Sequence, residues 1–118
     1  MITNFEAITA NLTPEEKFLT ISIMEILVKY KKNNPIKSVQ LVAIINNKFF
    51  KESDAKFTGV KLRKFCNYIR SKSLLPIIAT SNGYYISYDK TEIALQIESL
   101  EQRSEAILNS VNGLKFYL

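Results

Sequence analysis

The stretch that decides the fold is Leu74-Leu75-Pro76-Ile77-Ile78-Ala79-Thr80-Ser81-Asn82-Gly83-Tyr84-Tyr85-Ile86-Ser87. Two β-prone runs, 74–79 and 84–87, flank a short polar segment that contains Asn82 and Gly83. Asn-Gly between such runs is the strongest short-range signal for a β-hairpin, because both residues tolerate the positive φ that a type I′ turn requires. The stretch therefore predicts a hairpin that turns at Asn82-Gly83.

Upstream of this hairpin, the first strong helix signal is Thr13-Pro14-Glu15-Glu16. Thr13 fits the N-cap, Pro14 the first helical position and Glu16 the third position of a capping box. The following run is apolar around much of its circumference, which predicts a central helix that stops before Pro35.

Two further helices are predicted between Pro35 and the hairpin. After a short strand at Ile36-Lys37, Ser38 is expected to cap a second helix that runs to about Phe50. Its inward residues are expected to be Leu41, Val42, Ile44, Ile45 and Phe49. Thr58 is expected to cap a third helix, with Leu62, Phe65 or Cys66, and Ile69 buried, and Lys61, Lys64, Asn67, Tyr68 and Ser71 on the other face.

Residues from Asp89 onward return to a helical period, with Asp89 or Thr91 as the cap and Gly113 as the expected end. The apolar positions advance by alternating steps of four and three residues, which is a heptad seam. Its members are Ile93, Ile97, Leu100, Ser104, Ile107, Val111, Leu114 and Leu118. The seam either packs back on the domain or pairs two copies, and the two are compatible; the dimerisation candidates are Ile97, Leu100, Ile107 and Val111.

The charge of the chain is concentrated in one segment. Twelve of the sixteen basic residues lie within 29–72 beside only Glu52 and Asp54, a formal charge of +10, whereas the rest of the chain carries −5. Such an asymmetry is the electrostatic footprint of a nucleic-acid-binding protein, since phosphate is its commonest partner. The alternative is a well-solvated, lysine-rich surface.

Several kinds of chemistry have no residues to support them. The 118 residues include no histidine and a single cysteine, and the three glycines are isolated. These facts exclude Ser-His-Asp triads, Cys-rich zinc sites and glycine-rich nucleotide loops, so we expect no enzyme, no metal and no cofactor. No membrane-length apolar run or signal peptide is evident, and Cys66 lies in an apolar pattern, so we expect a cytoplasmic protein with a buried thiol.

The order of these elements predicts a mainly α fold with a small β-hairpin, a winged helix-turn-helix plus a C-terminal helix. In such domains the third helix enters the major groove and the hairpin, or wing, lies beside it. We expect a lead-in segment over 1–12, the winged-helix domain over 13–88, and the C-terminal helix, a possible dimerisation element, over 89–118.

Part of the chain resembles the small winged-helix DNA-binding proteins of phages and prophages. The resemblance rests on Leu75-Pro76-Ile77, Asn82-Gly83-Tyr84-Tyr85-Ile86, Glu92-Ile93 and Ser99-Leu100-Glu101-Gln102-Arg103, with Leu62-Arg63 and Ile69-Arg70 in the third helix. It covers roughly 58–103 and implies a role in phage replication or gene control. Val60 and Lys61 stand where that group often has an arginine-rich start, and Cys66 replaces a typical aliphatic residue.

The candidate DNA-binding residues follow from placing the third helix in the major groove. Lys61, Lys64 and Asn67 are candidates for base edges or phosphate, because Asn can bind adenine and Lys can donate to guanine. Arg63, Lys72 and Thr58 are expected at phosphates, with Lys37 flanking the backbone. The wing tip, Ser81 and Asn82, is expected near the minor groove. Arg70 could also reach phosphate, and both Arg63 and Arg70 could instead pair with acids such as Glu92; a structural role is favoured for Arg70.

Three functions remain open on the sequence alone. The first is a duplex-DNA-binding protein, sequence-specific or structure-specific, in transcription regulation or replication initiation, with a homodimer through the last helix. The second is a winged-helix protein-interaction module that uses the C-terminal helix. The third is an accessory factor to a nucleic-acid enzyme, without catalysis of its own. Tyr84 and Tyr85 point to opposite faces of the strand, so one is expected in the core and the other exposed; a smaller possibility is that these two adjacent tyrosines stack on single-stranded bases.

Overall fold

The computed structural model describes residues 12–118, so nearly all of the predicted lead-in segment lies outside the described residues. The order of elements is three helices, a hairpin and a long last helix, which is a winged helix-turn-helix followed by a C-terminal helix. The elements are α1 (Pro14–Leu27), α2 (Ser38–Phe49), α3 (Gly59–Ser71), β1 (Ile77–Thr80), β2 (Gly83–Ile86) and α4 (Lys90–Lys115). Two compact units meet in sequence between Ser87 and Tyr88.

Helix α1 begins where its sequence predicts. The Thr13 hydroxyl accepts the Glu16 N–H at 3.2 Å, and the Glu16 carboxylate accepts the Thr13 N–H at 3.0 Å, which completes the capping box. The prediction of a central helix is wrong for one face, because Phe18 is 77% exposed and Ile21 is 58% exposed. Only the opposite face, with Thr20, Ile23, Ile26 and Leu27, is buried.

Helix α2 departs from two predictions. Ser38 is its first helical residue and not its cap; the preceding residue, Lys37, is extended, and its N–H donates to the Gln40 side chain at 3.2 Å. Leu41 and Ile45 are buried and Val42 and Ile44 partly so, as expected, but Phe49 is 44% exposed. The aromatic that packs inward is its neighbour Phe50, whose ring lies 5.8 Å from that of Phe57.

Helix α3 buries the predicted stripe, Leu62, Phe65, Cys66 and Ile69, in the core. Burial raises the pKa of the Cys66 thiol to about 12, so this cysteine is a small core residue that does not ionise near neutral pH. The helix ends in a Schellman motif: the Ser73 and Leu74 N–H groups donate to the Arg70 and Ile69 carbonyls.

The hairpin is confirmed, but its turn differs from the predicted one. Thr80 pairs with Gly83, so the two loop residues are Ser81 and Asn82. Among the described residues, Gly83 and Ser73 alone have positive φ, so Asn82 does not supply a type I′ geometry. Gly83, at φ 129°, provides the left-handed residue that the hairpin needs.

The short strand predicted at Ile36-Lys37 is present only as a single β-bridge, between Ile36 and Tyr84 of β2. Ile36 and Tyr84 exchange both backbone hydrogen bonds, at 2.9 and 2.7 Å, so the chain before α2 is fixed to β2. The expectation that one wing tyrosine is exposed is wrong, since Tyr85 is buried and Tyr84 is half-buried.

The C-terminal helix α4 starts at the predicted cap, where the Asp89 carboxylate accepts the Thr91 N–H at 2.8 Å. It does not end at Gly113 but continues to Lys115, because a glycine within a helix costs only about 1 kcal/mol relative to alanine. Within residues 12–118, no helix combines the length and the apolar character needed to cross a membrane.

Candidate nucleic-acid interface

The start of α3 is held by two sets of hydrogen bonds. The Thr58 hydroxyl accepts the Lys61 N–H at 3.3 Å, so Thr58 is the predicted N-cap. One residue earlier, the Asn46 side chain of α2 accepts the Phe57 N–H at 2.7 Å and donates to the Phe57 carbonyl at 3.0 Å. No local sequence pattern indicates this role of Asn46. Together these contacts set where the third helix begins relative to the second.

The face of α3 opposite its buried stripe is defined by helical spacing. Steps of three and four residues place Val60, Lys64, Asn67 and Ser71 on this outer face, with Arg63 at one flank and Lys61 at the other. Val60, Arg63 and Ser71 are exposed, and Asn67 is half-buried. Val60 was not among the predicted contacts, yet an exposed aliphatic side chain at the start of such a helix suits the methyl group of thymine.

Lys64 takes part in a contact that the sequence did not predict. Its ammonium lies 3.4 Å from the Glu16 carboxylate, and the side chain is only 22% exposed. The pair connects the start of α1 to the middle of α3. A Lys64 that reached a base or a phosphate would have to leave Glu16 and its half-buried position, whereas the side chains of Lys61 and Arg63 are exposed.

Replacing Glu16 by glutamine should lower stability by about 1 kcal/mol, because it removes the charge from a capping box and an ion pair. Partial burial disfavours the charged carboxylate, but the Thr13 N–H and the Lys64 ammonium prevail and lower the pKa of Glu16 below its ordinary 4.5. Its stabilising effect is therefore present above pH 4.5 and is lost as pH falls through the lowered pKa. Urea unfolding of both proteins at pH 7 and pH 3 should give a difference that shrinks at the lower pH; a constant difference would contradict this account.

Arg70 connects α3 to the wing. Its Nε donates to the Ile77 carbonyl at 3.0 Å, and Nη1 lies 3.5 Å from the Asn67 side-chain oxygen. This agrees with the structural role predicted for Arg70. The contact also orients Asn67 on the outer face, which reduces the freedom of the amide to meet a base.

The wing tip receives a positive charge from elsewhere in the chain. The Lys37 ammonium donates a hydrogen bond to the Ser81 carbonyl at 2.9 Å, although the two residues are 44 positions apart in the sequence. Ser81 and Asn82 are both exposed, and the Asn82 N–H donates to the Thr80 hydroxyl at 3.1 Å. The sequence places no base within the tip, so only the fold shows that Lys37 lies there.

The remaining bases of the segment 29–72 have different environments. Lys56 donates to the Phe50 carbonyl at 2.7 Å and supports the α2–α3 connection. Lys72, another predicted contact, is exposed at the end of α3, with its ammonium 6.0 Å from the centre of the Tyr68 ring.

An open groove of about 480 Å³ between α1 and the end of α2 is lined in part by Val28, Lys29, Lys48 and Phe49.

The four dimerisation candidates lie on α4, in which no residue is buried. Ile97, Ile107 and Val111 are exposed and Leu100 is half-buried.

Comparison with protein families, with curated proteins and with solved structures finds no match for the chain.

Proposed function

We propose that this protein binds duplex DNA through α3 and the wing. In this proposal α3 enters the major groove with its outer face, Lys61 and Arg63 contact phosphates or guanine, and the tip at Ser81 and Asn82 lies against the neighbouring backbone. The protein acts in the cytoplasm as a regulator of transcription or an initiator of replication of the phage or prophage type, without catalysis of its own.

The observation that carries this proposal is the position of the basic segment within the fold. The segment with a formal charge of +10 contains the whole of α2 and α3, and ten of its twelve bases are exposed. Lys37 adds one of these charges at the wing tip, where the sequence alone has none. Cations on the third helix and the wing are those that a duplex would meet first.

The test is the double variant Lys61→Ala with Arg63→Ala, measured by fluorescence anisotropy with duplex DNA over a range of salt concentrations. We expect the affinity to fall by roughly 10- to 100-fold and the slope of log K against log salt to decrease by about 2, since each lost phosphate contact removes about one unit.

The matched control is Lys17→Ala with Lys90→Ala, which removes two exposed cations from outside the basic segment. General loss of positive charge would weaken binding equally in both double variants, whereas the proposal requires a much larger loss at Lys61 and Arg63. Binding unchanged in the Lys61 and Arg63 variant would refute the role of α3.

The second candidate function is a protein-interaction module, favoured by the exposed apolar residues of α4 and of α1. It requires that the protein show no salt-sensitive affinity for duplex DNA. The same anisotropy titration therefore separates the two functions, because the wild-type protein either binds with a steep salt dependence or does not bind.

A further inference from the structure

The apolar seam of α4 can be assigned to heptad positions. Its alternating steps place Ile97, Ser104, Val111 and Leu118 at positions a, and Ile93, Leu100, Ile107 and Leu114 at positions d. None of these side chains is buried. Seven of the eight are aliphatic, and all but Leu118, which follows the end of α4 at Lys115, lie within the helix, so α4 presents a nearly complete coiled-coil seam.

The charges that flank the seam do not suit a parallel pair. In a parallel dimer each position g meets position e of the following heptad in the partner. Here those pairs are Gln96 with Glu101, Arg103 with Leu108, and Ser110 with Lys115, none of which joins opposite charges. Residues 90–105 carry four acids and two bases, so parallel pairing would also place two acidic halves side by side.

An antiparallel pair removes the second of these conflicts, the contact between two acidic halves. Residues 106–118 carry one base and no acid, so each acidic half meets a weakly basic half, and the helix dipoles oppose each other. Centred between Glu105 and Ala106, the seam forms layers of one a and one d residue. The layers within the helix are Ile97 with Leu114, Leu100 with Val111, and Ser104 with Ile107; Leu118, three residues beyond the end of α4, would lie next to Ile93.

The central layers favour the same arrangement. In a parallel dimer the two copies of Ser104 would face each other and leave a poorly filled layer. In the antiparallel register each Ser104 meets the larger Ile107, so small and large side chains alternate. An aliphatic side chain removes roughly 60–120 Å² from water when fully buried, so seven of them supply most of the about 800 Å² per partner of a standard interface.

We propose that α4 binds α4 of a second copy as an antiparallel two-helix coiled coil in this register. The dimer has a two-fold axis near Glu105 and Ala106, so both copies contribute the same surface. This inference does not depend on DNA binding. If the proposed function also holds, one dimer carries two α3 helices and suits a site with two half-sites.

The test uses full-length Leu100→Cys and Val111→Cys proteins, oxidised separately and as an equal mixture. The antiparallel register brings positions 100 and 111 of different copies together, within the reach of a disulfide, but separates equal positions by about 16 Å along the axis. We therefore expect a covalent dimer only in the mixture. The wild-type chain, whose Cys66 is buried, is the control. Dimers in the separate samples would establish a parallel pair and overturn the proposal.

A second pair of variants tests the seam without cysteines, by sedimentation equilibrium. Leu100→Glu with Val111→Glu should convert the dimer to a monomer, whereas Gln102→Glu with Asn109→Glu adds the same charges on the opposite face and should leave it dimeric. The control variant carries the same two added charges on α4. A monomer that appears only with the Leu100 and Val111 changes is therefore due to the seam and not to disruption of the helix by charge. A wild-type protein that is still monomeric at about 100 µM, a concentration at which a dimer with a micromolar dissociation constant is almost fully formed, would overturn the proposal.

Discussion

Replacing Gly83 by alanine should lower the free energy of unfolding by about 3–5 kcal/mol, the sum of backbone strain and lost hydrogen bonds. A Cβ at Gly83 would lie 2.4 Å from the Ile36 carbonyl oxygen and 2.6 Å from its carbon, and these are backbone atoms that cannot rotate away. The φ of 129° also lies where side-chain-bearing residues are rarely found. Relief of the clash requires Ile36 to separate from Tyr84, which breaks two backbone hydrogen bonds.

The measurement is thermal unfolding followed by circular dichroism. A loss of this size should lower the melting temperature by roughly 12–30 °C in a domain of this length. The matched control is Gly113→Ala, the same chemical change at a helical glycine with no atom within 4 Å of the added Cβ. It should leave stability unchanged or raise it by up to about 1 kcal/mol. A small effect at Gly83 would mean that the Ile36 bridge does not hold the wing.

The elements that the sequence predicted correctly are those specified by neighbouring residues. Thr13 and Glu16 form a capping box within one turn, and Asp89 caps α4 in the same local way. The stripe from Leu62 to Ile69 follows from helical spacing alone. Such signals are independent of the rest of the fold, so they can be read before it is known.

The predictions that were wrong depend on contacts distant in sequence. Phe49 and Phe50 are adjacent apolar residues at the end of α2, and only the position of Phe57 determines that Phe50 packs inward. The turn at Asn82 was predicted from a dipeptide preference, but the approach of Ile36 to β2 requires the glycine one position later. Local preference could not anticipate either outcome.

The candidate interface also combines features that neighbouring residues predict with features that depend on contacts distant in sequence. Charge and helical spacing located α3 and its exposed cations, but could not show that Lys64 faces Glu16, which lies 48 residues earlier. Nor could they place Lys37 at the wing tip, 44 residues away from Ser81. Which cations remain available to a partner is therefore a property of the tertiary structure, whereas the total charge is a property of the sequence.

Asn46→Ala should also destabilise the protein strongly, by about 2–4 kcal/mol. It removes two hydrogen bonds from partly buried backbone groups, and water can replace those bonds only in part. The Asn46 amide satisfies both the N–H and the carbonyl of Phe57, whose ring is itself buried. Chemical denaturation should show a lower midpoint with an unchanged slope. Asn47→Ala, a change of the same kind at the exposed neighbour, should cost less than about 0.5 kcal/mol.

Asn46 also joins stability to the proposed function, because Phe57 directly precedes the cap of α3. When Asn46 is shortened, Thr58 and the first turn of α3 lose their fixed position relative to α2. Duplex affinity, measured well below the melting temperature, should then fall while the salt slope stays near that of the wild type, since no phosphate contact is removed. A variant that is destabilised but binds duplex DNA with full affinity would show that the start of α3 does not take part in binding. In that case any binding would depend on cations elsewhere in the segment 29–72.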